Sequence, residues 1–335
     1  MKKTIVGILV MALLAGAIVA YCKFYDRKVP NFKGKAELYV YPGMSVREVS
    51  DSILATGGVK KPSSLKRVMK GVPALVPGHY TIDSTCTSMY VSRMLQKGWQ
   101  TPVVLTLSGS IRSYRGLARK IGRQMLCDSA SVASFCEDSL SRYGLDTLML
   151  FTKVIPDSYQ MKWTATPGEI FDRLTKEADA WWTPQRLAAA RRQGLTRNEA
   201  VTLASIVDGE TKYVPEQPTI AGVYLNRLHT GMKLQADPTV AYCFGYTLNR
   251  ILKSHLSVDS PYNTYRYYGL PPGPISCPPK SCLEAVLNPD RHDYLYFCAD
   301  PSFNGTHRFA VSYAEHLQNA RAFQRALTER QRGGN

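Results

Sequence analysis

Between Lys3 and Lys23 the chain runs for nineteen residues, Thr4 to Cys22, without a single charge. A bilayer core takes about 20 apolar residues as helix, so this run is just long enough to cross one. No other feature constrains the fold as strongly, because everything after it must fold beside a membrane or beyond one. Lys2 and Lys3 precede the run, which favours a cytoplasmic N-terminus and an exported remainder. Two readings fit. A retained single-pass anchor over residues 1–22 is favoured by the length of the run. A cleaved signal peptide would use Ala15-Gly16-Ala17 as an imperfect cleavage site. Cys22 stands where a lipoprotein cysteine would, but Tyr21 before it is too bulky for that processing signal.

The run also changes what the charge means. The 335 residues carry 42 Lys plus Arg against 26 Asp plus Glu, a formal charge of +16. Such an excess seeks an anionic partner: nucleic acid, a membrane surface or an acidic polymer. Lys2 and Lys3 are the only charges in the first 22 residues, so the rest still carries +14. Outside the cytoplasm that excess points to a membrane or a wall polymer and away from nucleic acid. Eight cysteines leave seven beyond Cys22, with no zinc or redox spacing. Cys277 with Cys282, or Cys127 with Cys136, could close short loops; burial as small hydrophobes is the other reading.

Residues 23–35 are polar, with Pro30 and Gly34, and read as a short stalk. Residues 36–107 alternate strands and helices. Glu37 to Tyr41 is strand-like, Ser45 with Glu48 forms a capping box, Ser88 to Lys97 reads as a helix ending at Gly98, and Val103 to Leu107 as a strand. This is a small α/β unit. Residues 108–195 read mostly as helical scaffold, with Trp163, Trp181 and Trp182 as apolar anchors and Thr183-Pro184 opening a helix. The chain as a whole is expected to be α+β: an apolar anchor, the small unit, and a larger mixed domain over 108–335.

The chemistry gathers after Thr196. Thr196 and Glu199 form a second capping box, and the spacing predicts a helix from Glu199 to Asp208 that breaks at Gly209. Glu210 follows. A carboxylate at a helix C-terminus meets the negative end of the macrodipole, and desolvation would raise its pKa further, as a general acid requires. A second helix is expected from Pro215 to His229, with Asn226 and Arg227 off its apolar face. Asp237 before Pro238 reads as a helix N-cap. Tyr262, Tyr265, Tyr267 and Tyr268 could stack on sugar faces or pack a rigid Pro/Gly turn; spacing leaves both open.

Seven segments stand in order: Leu203-Ala-Ser-Ile-Val-Asp-Gly-Glu-Thr211, Ile220-Ala-Gly-Val-Tyr-Leu-Asn-Arg-Leu228, Gly231-Met-Lys-Leu-Gln-Ala-Asp-Pro-Thr-Val240, Tyr262-Asn-Thr-Tyr265, Gly269-Leu-Pro-Pro-Gly-Pro-Ile275, Leu295-Tyr-Phe297 and Gly305-Thr-His-Arg-Phe309. Together they closely resemble the endolytic murein transglycosylases of the MltG, or YceG-like, family, and region 36–100 resembles that family's LysM-like subdomain. The resemblance implies an inner-membrane enzyme that cuts nascent peptidoglycan strands on the outer side, beside cell-wall synthases, without metal or cofactor. It puts the essential glutamate at Glu210. Gln235, Asn263 and Tyr265 are expected to hold the sugar, with Asn226, Arg227 and Asp237 supporting the site. Two departures stand out: Asp208 where the family has a first glutamate, and Ser108-Gly-Ser-Ile-Arg112 where relatives carry a Pro-Glu-Gly turn. The rival reading is a wall-binding scaffold without catalysis.

Overall fold

Helix α1 (Lys2–Lys28) continues six residues beyond the uncharged run, into the segment 23–35 expected to be a stalk. The structure is a computed structural model and describes residues 2–333. The polar residues that suggested a stalk are the ones that dock the helix. Asp26 is buried and takes a bidentate pair from Arg67, Nε to Oδ2 at 2.9 Å and Nη2 to Oδ1 at 2.7 Å, while Ser64 donates to Oδ1 at 2.5 Å. Asn31 is fully buried. Its amide donates to the Lys61 carbonyl and to Ser88 Oγ, and its Oδ1 accepts the Lys61 N–H at 2.8 Å. Asn31→Ala would strand the Lys61 N–H, and is expected to cost about 2 kcal/mol in denaturant unfolding of the full chain.

The chain divides into two units. The first holds residues 1–105 and takes back 124–127 and 159–166. After α1 come β1 (Ala36–Val40), α2 (Val46–Thr56), α3 (Pro62–Met69), β2 (Gly78–Ile82), α4 (Ser88–Lys97) and β3 (Val103–Thr106). β1 pairs antiparallel with β2, Ala36 facing Ile82 and Val40 facing Gly78, so the order is β-α-α-β. Leu38 and Val40 alternate inward onto Val49, Ile53, Leu65 and Leu95. Tyr39 faces the other way, and its ring lies 5.0 Å from Trp163 on the returning segment. That segment carries β4 (Ser158–Met161), the partner of β3.

The second unit holds α5 (Tyr114–Gly122), α6 (Ser129–Ser139), α7 (Pro167–Trp181), α8 (Pro184–Arg192), α9 (Arg197–Glu210), α10 (Gln217–His229), α11 (Asp237–Cys243), α12 (Lys280–Leu287), a hairpin-like pair β5 (Tyr296–Ala299) and β6 (His307–Ala310), and α13 (Tyr313–Gly333). β5 and β6 run antiparallel, Tyr296 facing Ala310 and Ala299 facing His307. α9 is the axis of this unit. Every residue from Ala200 to Asp208 is buried, because α8, α10, α11 and α12 all pack on it. A helix buried on all sides must be apolar nearly all round, which the sequence of α9 supplies. All eight cysteines are free thiols. Cys86, Cys136, Cys277 and Cys282 are buried, and Cys277 donates to the Val154 carbonyl. The short-loop disulfides are not formed.

Candidate active site

α9 starts at a full capping box. The Thr196 N–H donates to Glu199 Oε2 at 2.8 Å and the Glu199 N–H to Thr196 Oγ1. It ends later than its sequence suggests. Gly209 does not break it; the helix runs through to Glu210, and Thr211 turns to extended backbone. Gly209 is required for another reason. A Cβ there would lie 2.5 Å from Pro238 Cβ and 2.7 Å from its Cγ, so only glycine lets the first turn of α11 close on the last turn of α9. That contact brings the carboxyl-bearing ends of two helices to one cleft.

The cleft, about 310 Å³, is walled by Asp208, Glu210, Lys212, Asp237, Tyr246 and Arg112 among others. Lys212 and Arg112 supply two cations. Lys212 Nζ donates to Asp208 Oδ1 at 2.6 Å and to the Asp208 carbonyl, so the departing acid of the family motif is ion-paired. Arg112 stacks over the Tyr246 ring at 4.2 Å. The Tyr246 hydroxyl donates to the Ile275 carbonyl, and the Ile275 N–H donates to Ser205 Oγ of α9. The Gly269–Ile275 loop is thereby pinned to α9.

Glu210 is partly buried, and its Oε1 accepts a 2.5 Å hydrogen bond from the Tyr224 hydroxyl of α10. Burial raises its pKa from the usual 4.5 to about 7. The Tyr224 bond works in the opposite direction by favouring the anion; Asp237's charge raises the pKa again and Arg227's lowers it. Tyr224 itself is held far above its usual pKa by burial and by Glu210, so it remains a donor. With Oε1 occupied by Tyr224, Oε2 is the oxygen left to carry the proton. Glu210 and Lys212 also line a second cleft, of about 480 Å³, whose other wall is the β5–β6 connection and α13. There Arg330 lies 4.7 Å over the Phe303 ring, and His307 binds Glu216 through both its backbone N–H and its ring Nδ1.

The other expected site residues separate by role. Asp237 is the first residue of α11 and not its N-cap, which is Ala236; the carboxylate is instead engaged by the Tyr265 hydroxyl at 2.6 Å. Burial and that bond push the Tyr265 hydroxyl upward, keeping it a donor. Tyr265 therefore reaches the site through Asp237. Gln235 is exposed, lines neither cleft, and has φ +49°, uncommon for a residue other than glycine. The turn is held there because Thr264 O accepts the Gln235 N–H and Thr264 Oγ1 accepts the Ala236 N–H. Asn263 is fully buried. Its amide donates to the Leu256 and Val258 carbonyls and its oxygen accepts the Tyr265 N–H, so it braces the loop and is spent there. Asn226 donates to the His292 and Tyr294 carbonyls, and Arg227 to those of Leu295 and Leu234. Both tie α10 to its surroundings. Of the tyrosines, Tyr262 is buried, while Tyr267 and Tyr268 are exposed. The sequence alone does not single out Tyr224, Arg112 or Lys212: each reads there as an ordinary apolar-stripe or surface residue.

The YceG-like family model matches residues 38–322. This chain belongs to the YceG-like family. It is 27% identical over 357 positions to the endolytic murein transglycosylase of Streptococcus pneumoniae serotype 2, covering 95% of this chain and 64% of that one. To the endolytic murein transglycosylase of Bacillus subtilis it is 44% identical over 119 residues, 36% of this chain and 32% of that one. It thus spans less than two thirds of the length of these relatives. A crystal structure of a yceG-like protein from Listeria monocytogenes covers 85% of this YceG-like chain and 99% of its own, at 27% identity and a TM-score of 0.55.

Proposed function

We propose that this chain is a membrane-anchored endolytic peptidoglycan transglycosylase that cuts glycan strands between N-acetylmuramic acid and N-acetylglucosamine. The observation that carries the reading is Glu210: a carboxyl with a pKa of about 7 that borders a cleft on each side. A polymer cut in its interior needs room on both sides of the acid, and the acid must hold its proton near neutrality. Glu210 protonates the glycosidic oxygen as the bond to C1 of muramic acid breaks. The resulting carboxylate then takes the proton of that sugar's own primary hydroxyl while the oxygen attacks C1, closing a 1,6-anhydro ring. No water is consumed, and the tethered nucleophile stands at high effective molarity. Asp237, in the same cleft, offers negative potential to the positive charge that develops at C1.

Several finer readings go with it. The β-α-α-β order of β1, α2, α3 and β2 supports a LysM-like glycan-binding role for the first unit. α1, long and apolar enough to cross a membrane, supports an inner-membrane location, and Lys2 and Lys3 before it favour a catalytic unit outside. Cutting nascent strands there would end their elongation, next to the wall synthases.

The decisive experiment digests un-crosslinked glycan with the full chain and weighs the products. Anhydro-muramic ends, lighter by one water than hydrolytic ends, are expected from internal cuts. Glycan bound but never shortened would leave the scaffold reading instead. The pH profile gives a second check. kcat/KM should fall above about pH 7, as Glu210 loses its proton. Tyr224→Phe removes a bond that favours the anion, so it should move this alkaline limb upward. Asp237→Asn removes a like charge and should move it downward.

A further inference from the structure

A cleft of about 770 Å³ opens in the first unit beside the last turn of α1. Arg27 and Lys28 from that turn and Arg93 from α4 line it, with Tyr90 and Trp99. The three cations are exposed, and among the described residues none has a carboxylate partner. The one acid of the lining, Asp83, is satisfied locally: its Oδ1 accepts the Thr85 N–H and hydroxyl at 2.8 and 2.6 Å. The Tyr90 and Trp99 rings stand 5.9 Å apart, each about half exposed.

Depth decides what this cleft meets. α1 rises about 1.5 Å per residue, so Arg27 and Lys28 lie about 8–9 Å past Cys22, the end of the uncharged run. The headgroup layer beyond a hydrocarbon core is about 5–8 Å deep. Long basic side chains reach back toward it along their apolar stems. Exposed Trp and Tyr beside a spanning helix settle at the same level. Lys61 continues the pattern, its ammonium 4.7 and 4.5 Å from the Tyr21 and Tyr25 ring centres. The unit cannot swing away from this depth, because Asp26 locks α1 to Arg67 and Ser64.

We infer that this cleft binds the phosphate headgroup of an anionic phospholipid in the bilayer that α1 crosses. The inference rests on α1 being a retained anchor and is independent of the chemistry at Glu210. Arg27, Lys28 and Arg93 take the phosphate, while Trp99 and Tyr90 lie against the glycerol and upper acyl region.

The test uses the full chain in non-ionic detergent, titrated with phosphatidylglycerol or phosphatidylcholine and read by native mass spectrometry. Phosphatidylglycerol should bind at least about tenfold more tightly, and more weakly as salt rises. The triple variant Arg27→Ser, Lys28→Ser, Arg93→Ser should lose at least about tenfold with unchanged circular dichroism, while Arg93→Lys keeps most of the affinity. Equal binding of the two lipids, or full affinity in the triple variant, overturns the inference. So does displacement of the lipid by inorganic phosphate or a soluble muropeptide at equal concentration, which would mean a water-borne ligand. Vesicle flotation separates the two layers of the argument. Wild type and triple variant should both float; a wild type that stays in solution removes the anchor, and the lipid site with it.

Discussion

Glu210→Gln is expected to lower the rate of glycan cleavage by about 100- to 10,000-fold while leaving the chain folded. Glutamine fits the same space, and its carbonyl can still accept the Tyr224 hydroxyl that Glu210 Oε1 accepts at 2.5 Å. What disappears is the proton on the other oxygen. Stability should move in the opposite sense. Burial raises the folded-state pKa of Glu210 to about 7 from the usual 4.5. Between those values the native state binds more proton than the unfolded chain, so native stability falls as pH rises through this window. The glutamine variant has no such loss. It should therefore be more stable than wild type by about 1–3 kcal/mol at about pH 8, and by little at about pH 4. Denaturant unfolding at the two pH values checks this alongside the product assay. A variant that is inactive yet gains nothing at alkaline pH would mean Glu210 is not held protonated by its surroundings.

Gly209→Ala should do the second-largest damage. In an ordinary helix interior alanine is the better residue by about 0.5–1 kcal/mol. Here the sign reverses. The new methyl would stand 2.5 Å from Pro238 Cβ, and a proline ring held at the start of α11 has little freedom to yield. Over-packing of this kind costs about 1–3 kcal/mol. Its functional effect should be larger than its thermodynamic one. Forcing α11 from α9 moves Asp237 away from Glu210, and a misplacement of about 1 Å can cost about 100-fold in rate. An alanine variant as active as wild type would show that the close approach of these two helices does not set the site.

The local signals in the chain were strong where one residue decides a structure. Ser45 with Glu48 and Thr196 with Glu199 both form complete capping boxes, α4 spans Ser88 to Lys97 and stops at Gly98 as expected, and α8 opens at Thr183-Pro184. The signals misled where tertiary contact overrides local preference. Gly209 looks like a helix stop and is a contact surface. Asp237 before Pro238 looks like a cap, yet its carboxylate is drawn off by Tyr265, 28 residues away. Residues 23–28 look like a polar stalk because the burial of Asp26 depends on Arg67 and Ser64, about forty positions on. The return of residues 159–166 to the first unit has no local signature at all. In the site, Glu210 was legible because its neighbourhood carries the family motif. Tyr224 was not, since a tyrosine on an apolar stripe declares packing and only a neighbouring helix turns its hydroxyl into a partner. Arg112 was hidden for a similar reason: its cleft is closed by Tyr246, more than a hundred positions later.

The buried Asp26 pair has a mechanical consequence. A domain on a loose leash samples a broad volume, and its local concentration at any point is diluted accordingly. Here α1 is a continuous helix clamped at its base by a bidentate ion pair, so the first unit and the apolar helix move as one body. Tilt of the helix in the bilayer becomes tilt of the unit. Where α1 spans a bilayer, changes in bilayer thickness, which helices accommodate by tilting, would tilt this unit against the membrane surface.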